Sequence, residues 1–396
     1  MIYLCMFKFL LLLFLIPASL LAQNELTGKV VSLADKVPVA KASVFLSNSS
    51  VGSETQNNGW FKLTNVKNGQ YDLVVSCIGY ETYHQKLSVY NGNINLPDIE
   101  LQLRLNLLNE VKIVGAQKKI KVKDDPNRKR YIRMFTAAFF GNTKNAAECK
   151  LLNPELLDFN FEESTDKLHA TSRDFLIVEN KALGYRIKYL LESFLIDPGA
   201  HIMYYTGSSI FEPMDSTAAQ QKIWKAKRIK AYLGSEMHFL RACITNQLPE
   251  EGFTVRKVVR TPIEGIAADS TIYANIKRYG VSPSFSAELH YWTEQAKLAK
   301  YDQQLFARHL RSYEFIKKTD EKGIYAIGYL DCLMISYGNP RGSSLHDNTI
   351  MIFREPCAYF DGNGIIVNPQ SNWVEGYWGT KRVAELLPVD YELPKE

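Results

Sequence analysis

The sequence has 396 residues, enough for two or three domains with well-filled cores. Its apolar share of 46% and charged share of 22% are typical of a folded globular protein and not of a disordered one. The net charge of +5 comes mainly from the segment 116–133, which has eight Lys or Arg residues and two Asp residues. The other parts of the chain are therefore close to neutral together.

Residues 1–22 are typical of a secretory signal peptide. Lys8 is the only charge, a dense apolar run covers residues 10–15, and small residues lead to Ala22. The alternative is a membrane anchor, but the run is short for a span of roughly 20 residues. We expect cleavage after Ala22 and an exported protein with no further membrane span.

Residues 23–115 are predicted to form an all-β domain. About seven short strands, each bounded by turn-forming residues, recur at spacings of about 8–12 residues. The clearest signals are the turn Asn58–Gly59 and the alternation of Tyr71, Leu73 and Val75. The pattern predicts a seven-stranded antiparallel β-sandwich.

The same residues resemble the carboxypeptidase regulatory-like domain. The resemblance is carried by Gly28–Val30, Pro38–Val44, Thr55, Gly59–Leu63, Gly69–Leu73 and Ile78–Tyr80. It implies a transthyretin-like (prealbumin-like) sandwich, a domain most often found in outer-membrane receptors and envelope proteins of bacteria. Gln56 stands where the family often has Asp, so no metal site is carried over.

Nothing in this first domain predicts catalysis. His84 is its single histidine, and no carboxylate pair stands near a nucleophile. The His-x-x-Glu pair of a zinc carboxypeptidase is absent from the sequence. The resemblance therefore implies a domain that presents or stabilises its neighbour.

Two segments connect this domain to the rest of the chain. Leu105–Gly115 resembles the segment that follows the domain in TonB-dependent receptors, so it is either a strand offered to a partner's sheet or the last strand of the sandwich. Residues 116–130 form a basic linker, which is either a peripheral contact to anionic lipid headgroups or a solvated tether. We expect no nucleic-acid partner for an exported chain.

Residues 131–396 are predicted to form one α+β domain of unknown function, with antiparallel sheets and an embedded helix pair. Alternation predicts strands over 168–178 and 185–196, joined by the turn 179–184. Further strands are predicted over 253–259, 325–337, 349–353 and 358–367. The stretches 178–187, 232–241 and 376–378 resemble uncharacterised envelope proteins that carry the same N-terminal domain.

The predicted helix pair has clear end signals. Thr217 and Gln220 form a capping box, Gly234 ends the first helix, and Ser235 caps the second. The apolar stripe predicted to face the core is Ala219, Ile223, Ala226, Ile229 and Leu233. The Lys- and Arg-rich opposite face is either solvated or a contact for an anionic partner.

Five cysteines follow the predicted leader, and they are widely spaced with no C-x-x-C motif. They are Cys77, Cys149, Cys243, Cys332 and Cys357. Apolar neighbours favour core packing, while a single pair such as Cys332–Cys357 stays open.

Only one cluster offers a hypothesis of catalysis, Ser235 with His238. Their spacing of three places both on one helix face, but a catalytic dyad also needs an orienting acid and an oxyanion hole. The alternative is a helix cap beside a half-buried histidine. The seven histidines do not fall at metal-ligand spacing, and no P-loop or Gly-x-Ser-x-Gly motif occurs, so we expect neither a metal nor a cofactor.

These observations favour a non-catalytic exported protein that binds or scaffolds in the envelope of a Gram-negative bacterium, in the periplasm or at the outer membrane, or secreted. The first alternative is an accessory of TonB-dependent nutrient uptake that binds a glycan, a peptide or an envelope protein. The second is a cryptic hydrolase built on Ser235 and His238 or on a Cys–His pair. The oligomeric state stays open.

Overall fold

A computed structural model describes residues 24–90, 92–104, 125–338 and 348–394. The predicted leader, the segment Leu105–Gly115 and most of the basic linker lie outside these residues. The described chain is mostly β-sheet, arranged in several sheets with a few helices. No helix in this part is long and apolar enough to cross a membrane.

The N-terminal part is a β-sandwich with one shared apolar core. Its strands are β1 (Asn24–Ser32), β2 (Ser43–Leu46), β3 (Gly52–Glu54), β4 (Trp60–Val66), β5 (Gly69–Ser76), β6 (Tyr83–Val89), β7 (Ile94–Asn95) and β8 (Ile99–Leu101). One sheet has β1 between β4 and the β7 and β8 pair, and the other has the order β3-β2-β5-β6. Leu26, Phe61 and Leu73 belong to the core that joins the two sheets.

The strand count and direction differ from the seven antiparallel strands predicted. The described part of the sandwich contains eight strands, and both β7 and β8 run parallel to β1, with Leu26 opposite Ile94 and Val30 opposite Ile99. Pro97 lies between β7 and β8, and proline has no N–H to continue a ladder. The segment 94–101, which runs beside β1, is therefore divided into the two short strands β7 and β8.

The next part is a six-stranded sheet organised around one long strand. It contains α1 (Arg128–Phe140), β9 (Cys149–Leu151), β10 (Leu157–Glu162), β11 (Lys167–Ser172), β12 (Leu176–Asn180), β13 (Tyr185–Asp197) and β14 (Ile202–Pro213). One edge of β13 pairs with β12 and then β11, and the other edge pairs with β14. The strand predicted over 168–178 is therefore two strands. Phe135 and Phe139 of α1 are fully buried against this sheet.

Two helices follow, α2 (Ala218–Tyr232) and α3 (Glu236–Thr245). The inward face of α2 differs from the predicted stripe, since Ile223 is 49% exposed and Trp224 is buried. Trp224 packs over Gly184 in the β12–β13 turn, and its Nε1 donates to the carbonyl of Lys181 over 2.7 Å. The packing of the Trp224 indole against this distant turn sets the orientation of α2. The spacing of apolar residues along the helix does not predict such a contact.

The C-terminal part holds two further sheets and a helical hairpin. Its elements are β15 (Phe253–Pro262), α4 (Asp269–Tyr279), α5 (Ser286–Lys297), β16 (Tyr301–His309), β17 (Ile316–Lys318), β18 (Ile324–Ile327), β19 (Cys332–Tyr337), β20 (Asn348–Phe353), β21 (Ala358–Asp361) and β22 (Asn372–Gly376). The sheet orders are β16-β15-β19-β20-β22 and β17-β18-β21. The strand predicted over 325–337 is therefore split between two sheets. The hairpin α4–α5 was not predicted, because α4 buries only Ile272 and α5 buries nothing.

The sandwich packs directly on the C-terminal region, defined here as residues 125–394. Asn48 N–H donates to the carbonyl of Ser209 over 2.6 Å, and the carbonyl of Asn48 accepts from Val389 N–H over 2.7 Å. Asn363 Nδ2 donates to the carbonyl of Gln70 over 2.9 Å. The five cysteines considered for a disulfide, Cys332 and Cys357 among them, are free thiols.

Candidate functional site

A cleft of about 1490 Å³ lies where the sandwich meets the C-terminal region. Strands β5 and β6 line one side, and β13 and β14 line another. The stretches 319–324 and 359–369, the start of α3 and the segment after β22 line the rest. Ligand sites commonly have volumes of about 300–1,000 Å³ and lie between domains. The cleft is larger than this range, and its position between the two parts of the protein makes it the candidate site.

The rim of the cleft carries an imidazole between two carboxylates. His84 Nδ1 is 2.9 Å from Asp72 Oδ2 within the sandwich, and His84 Nε2 is 3.7 Å from Glu192 Oε1 across the interface. Glu192 lies at a β-bulge of β13, and bulges redirect side chains. The hydrogen bond to Asp72 raises the pKa of His84, with burial acting in the opposite direction. This rim is a charged contact between the two parts of the protein.

The floor of the cleft carries three polar side chains with unused hydrogen-bonding capacity. Glu236, at the start of α3, is half-buried and makes no hydrogen bond or ion pair with any described residue. Burial raises the pKa of its carboxyl group to about 7. The Tyr205 hydroxyl likewise has no hydrogen bond within the described chain, and Arg382 donates only to the carbonyl of Lys381, over 3.4 Å.

Tyr205 is coupled electrostatically to the other two floor groups. Burial is the main reason that the pKa of Tyr205 rises to about 12, while Arg382 lowers it and Glu236 raises it. Burial also lowers the pKa of Arg382. The Tyr205 hydroxyl is therefore influenced by both a carboxyl group and a guanidinium group. The floor offers hydrogen-bond donors and acceptors to a ligand that has several polar groups.

Aromatic side chains complete the cleft. Tyr359 is 40% exposed, and Tyr377 has Lys381 Nζ 4.3 Å from its ring centre. Trp378 is buried, and its Nε1 donates to the carbonyl of Gly234 over 2.8 Å. Aromatic rings beside charged groups provide flat apolar contacts and cation–π contacts for a ligand.

The structure places Ser235 and His238 in different surroundings. Ser235 lines the cleft, and its Oγ accepts the backbone N–H of His238 as a helix cap. The His238 ring is buried, its Nδ1 accepts the Gly234 N–H over 3.1 Å, and its Nε2 lies 2.9 Å from Glu251 Oε2. Both ring nitrogens are thus directed away from the Ser235 hydroxyl, and burial lowers the pKa of His238.

Among the residues that the structure describes, no three His, Cys, Asp or Glu side chains come close enough together to hold a metal ion. The rim and floor were not found from the sequence, because Asp72, Glu192 and Arg382 lie on elements that only the tertiary fold brings together. Glu236 lies inside the motif that contains Ser235 and His238, so the motif indicated the location of the site but not the side chain that lacks a partner there.

Comparison with protein families identifies the first domain. Residues 26–113 match the family model of the CarboxypepD_reg-like domain. This segment is therefore a carboxypeptidase regulatory-like domain, as its resemblance predicted. No curated protein sequence matches the chain.

Two solved structures show distant similarity to this chain. A chain of a type II cohesin–X-dockerin complex from Acetivibrio cellulolyticus is 20% identical, with a TM-score of 0.18, over 20% of this chain and 56% of that one. A putative membrane-associated protein of unknown function from Bacteroides fragilis NCTC 9343 is 10% identical, with a TM-score of 0.16, over 89% of this chain and 93% of that one. This chain thus spans little more than half of the cohesin-complex chain, and similarities at this level carry no functional argument.

Proposed function

We propose that this protein is a non-catalytic, exported protein of the bacterial cell envelope that binds a ligand in the cleft between its regulatory-like domain and its C-terminal region. The observation that supports the proposal is the set of polar groups on the floor of the cleft. Its floor holds a carboxyl, a phenol and a guanidinium group that the described chain leaves largely without partners. Half-buried polar groups without partners are unfavourable, and a bound ligand would satisfy them.

A binding role is supported over hydrolysis by the surroundings of Ser235 and His238. A serine nucleophile needs a base whose ring nitrogen accepts its proton. Here Nδ1 of His238 is occupied by a backbone N–H and Nε2 is directed to Glu251. The matched family is also a regulatory-like domain and not a catalytic one.

Binding can be tested with three soluble probes of different charge: maltoheptaose, pentalysine and pentaglutamate. Titration followed by tryptophan fluorescence is suitable because Trp378 lines the cleft. We expect one probe to bind and Tyr359→Ala to weaken it about tenfold, since an exposed aromatic contact is lost. Tyr313→Ala is the control, because Tyr313 is 76% exposed and lies outside the cleft. Failure of all three probes, or equal effects of both substitutions, would contradict the proposal.

The location is tested separately by fractionation of the native cells. The segment that resembles a signal peptide supports export. We expect the protein in the periplasmic or outer-membrane fraction, or in the medium, with its N-terminus near Gln23. Recovery in the cytosol with Met1 retained would contradict export.

A further inference from the structure

The charge of the cleft is opposite in sign to that of the whole chain. The sequence has a net charge of +5. Seven of the residues that line the cleft are Asp or Glu, whereas the Lys and Arg residues are Lys86, Lys381 and Arg382. A concave surface of one charge sign concentrates its field and attracts ligands of the opposite sign.

Three lining carboxyl groups, Asp320, Glu321 and Glu236, have no side-chain partner among the described residues, and of these only Glu236 is half-buried. Asp72 is paired with His84, and Glu385 accepts a hydrogen bond from Asn145. Glu236 has neither an ion pair nor a hydrogen bond among the described residues, although it is half-buried. Burial alone raises the pKa of its carboxyl group to about 7, and a cation placed beside it would oppose this effect.

One exposed and one half-buried aromatic ring lie in the same cleft. Tyr377 already has the Lys381 ammonium group over its ring, and Tyr359 is 40% exposed. Aromatic faces attract ammonium and guanidinium groups and also contact the aliphatic part of a long side chain. The cleft thus combines negative charge, an unpartnered carboxyl group and aromatic surfaces.

We propose that the ligand of the cleft is positively charged, a Lys- or Arg-bearing peptide segment, and that Glu236 holds its ammonium or guanidinium group. The inference rests on the proposed binding function and deepens it. A free polyamine would offer the same ammonium chemistry, and the experiment separates the two sources.

The proposal predicts a linkage between binding and proton release. The titratable group coupled to Glu236 is Tyr205 on β14, and Arg382, after β22, acts on the same Tyr205 hydroxyl. Below pH 7 a large share of Glu236 is protonated, so a cation has to displace that proton. Affinity for a cation should therefore fall as the pH decreases from 8 to 6, and proton release should accompany binding at pH 6.

Calorimetric titration of the full chain tests this with pentalysine, spermidine, pentaglutamate and maltoheptaose at pH 6 and pH 8. We expect pentalysine to bind and pentaglutamate not to bind. Glu236→Gln should weaken pentalysine binding at least tenfold at pH 8 and much less at pH 6. Proton release, measured in two buffers of different ionisation enthalpy, should disappear in this variant. Glu250→Gln is the control, because Glu250 is exposed and outside the cleft.

The outcomes separate the two proposals. If maltoheptaose or pentaglutamate binds in a Tyr359-dependent way and pentalysine does not bind, the proposal of a cationic ligand is wrong. The cleft would still be a binding site. Equal pentalysine affinity of Glu236→Gln and the unmodified protein would overturn the role of Glu236. If spermidine binds as tightly as pentalysine, the proposal that the ligand is a peptide is wrong, and the proposal that the cleft binds an ammonium group remains. No binding of any probe would overturn both proposals.

Discussion

The indole Nε1 of Trp378 donates a hydrogen bond to the carbonyl oxygen of Gly234 over 2.8 Å, linking the segment after β22 to the turn between α2 and α3. The N–H of Gly234 donates in turn to His238 Nδ1. Gly234 has a φ of +76°, and an added Cβ would lie 2.8 Å from the Tyr337 ring. The turn that carries Glu236 into the cleft is therefore held by His238 of α3 and by Trp378 from a distant segment, with the Tyr337 ring packed closely beside it.

Trp378→Phe tests this support. The substitution keeps an aromatic ring but leaves the carbonyl of Gly234 buried without its donor, which should lower the free energy of unfolding by about 1–3 kcal/mol. Urea denaturation measures the change. Trp373→Phe is the matched control, since Trp373 is 41% exposed, and we expect its effect to stay within about 0.5 kcal/mol. Equal effects of the two substitutions would show that the hydrogen bond contributes little.

Gly184 should tolerate no side chain, because a Cβ would lie 2.1 Å from the Trp224 ring. Gly79 has a similar positive φ (+88° against +68°) but no atom within 4 Å of its Cβ position. In both alanine variants the positive φ costs about 1–2 kcal/mol. Only in Gly184→Ala does the new Cβ also collide with the Trp224 ring. We expect Gly184→Ala to lose at least about 2 kcal/mol more in urea denaturation. Similar losses would mean that Trp224 moves away freely.

His84 and His238 should act on stability in opposite directions as the pH changes. The pKa of His84 is raised, so its stabilisation is present below the unfolded value of about 6.5 and is lost as the pH rises through its folded pKa. The pKa of His238 is lowered, so its stabilisation is present above about pH 6.5 and is lost as the pH falls through its folded pKa.

Removal of the His84 contribution should leave the pH dependence that comes from His238 unopposed. In His84→Gln the urea midpoint should therefore fall more steeply between pH 7 and pH 5.5 than in the unmodified protein. His290→Gln, at an exposed site on α5, should leave the profile unchanged. A shallower slope in His84→Gln would contradict the assignment.

Glu236 should reduce stability at alkaline pH. Its folded pKa of about 7 exceeds the ordinary value, so the native protein holds a proton that the unfolded chain releases, and stability decreases as the pH rises from about 4.5 to 7. Glu236→Gln cannot ionise and should be more stable than the unmodified protein at pH 8, on the order of 1–3 kcal/mol, and equal to it at pH 4. Thermal denaturation at both pH values measures this. A destabilised variant at pH 8 would show that the charged carboxyl has a favourable partner.

Local signals in the sequence predicted local structure well. Thr217 and Ser235 each accept a backbone N–H at the start of a helix, and Gly184 closes the β12–β13 turn with a positive φ. These features depend on residues close together in the chain. The orientation of α2 depends on Trp224 packing over a turn about 40 residues earlier, which the spacing of apolar residues does not encode.

The site was less accessible to prediction for the same reason. Asp72 and His84 pair within one hairpin of the sandwich, but Glu192 joins them only because a bulge in a distant sheet directs it there. Glu236 lies two residues from His238, and its lack of a partner is a property of the folded cleft. Sequence motifs indicated the neighbourhood, and tertiary packing decided which side chains share it.

The contact between the start and the end of the chain has a consequence for folding. Val389 is buried in the apolar core of the sandwich, and Ser50 N–H donates to Asp390 across 340 positions of sequence. The N-terminal domain therefore completes its core only after the chain has been synthesised beyond residue 389. Such long-range closure is slow and makes an early fragment prone to aggregation. A ribosome-released fragment ending before residue 380 should accordingly need chaperone protection.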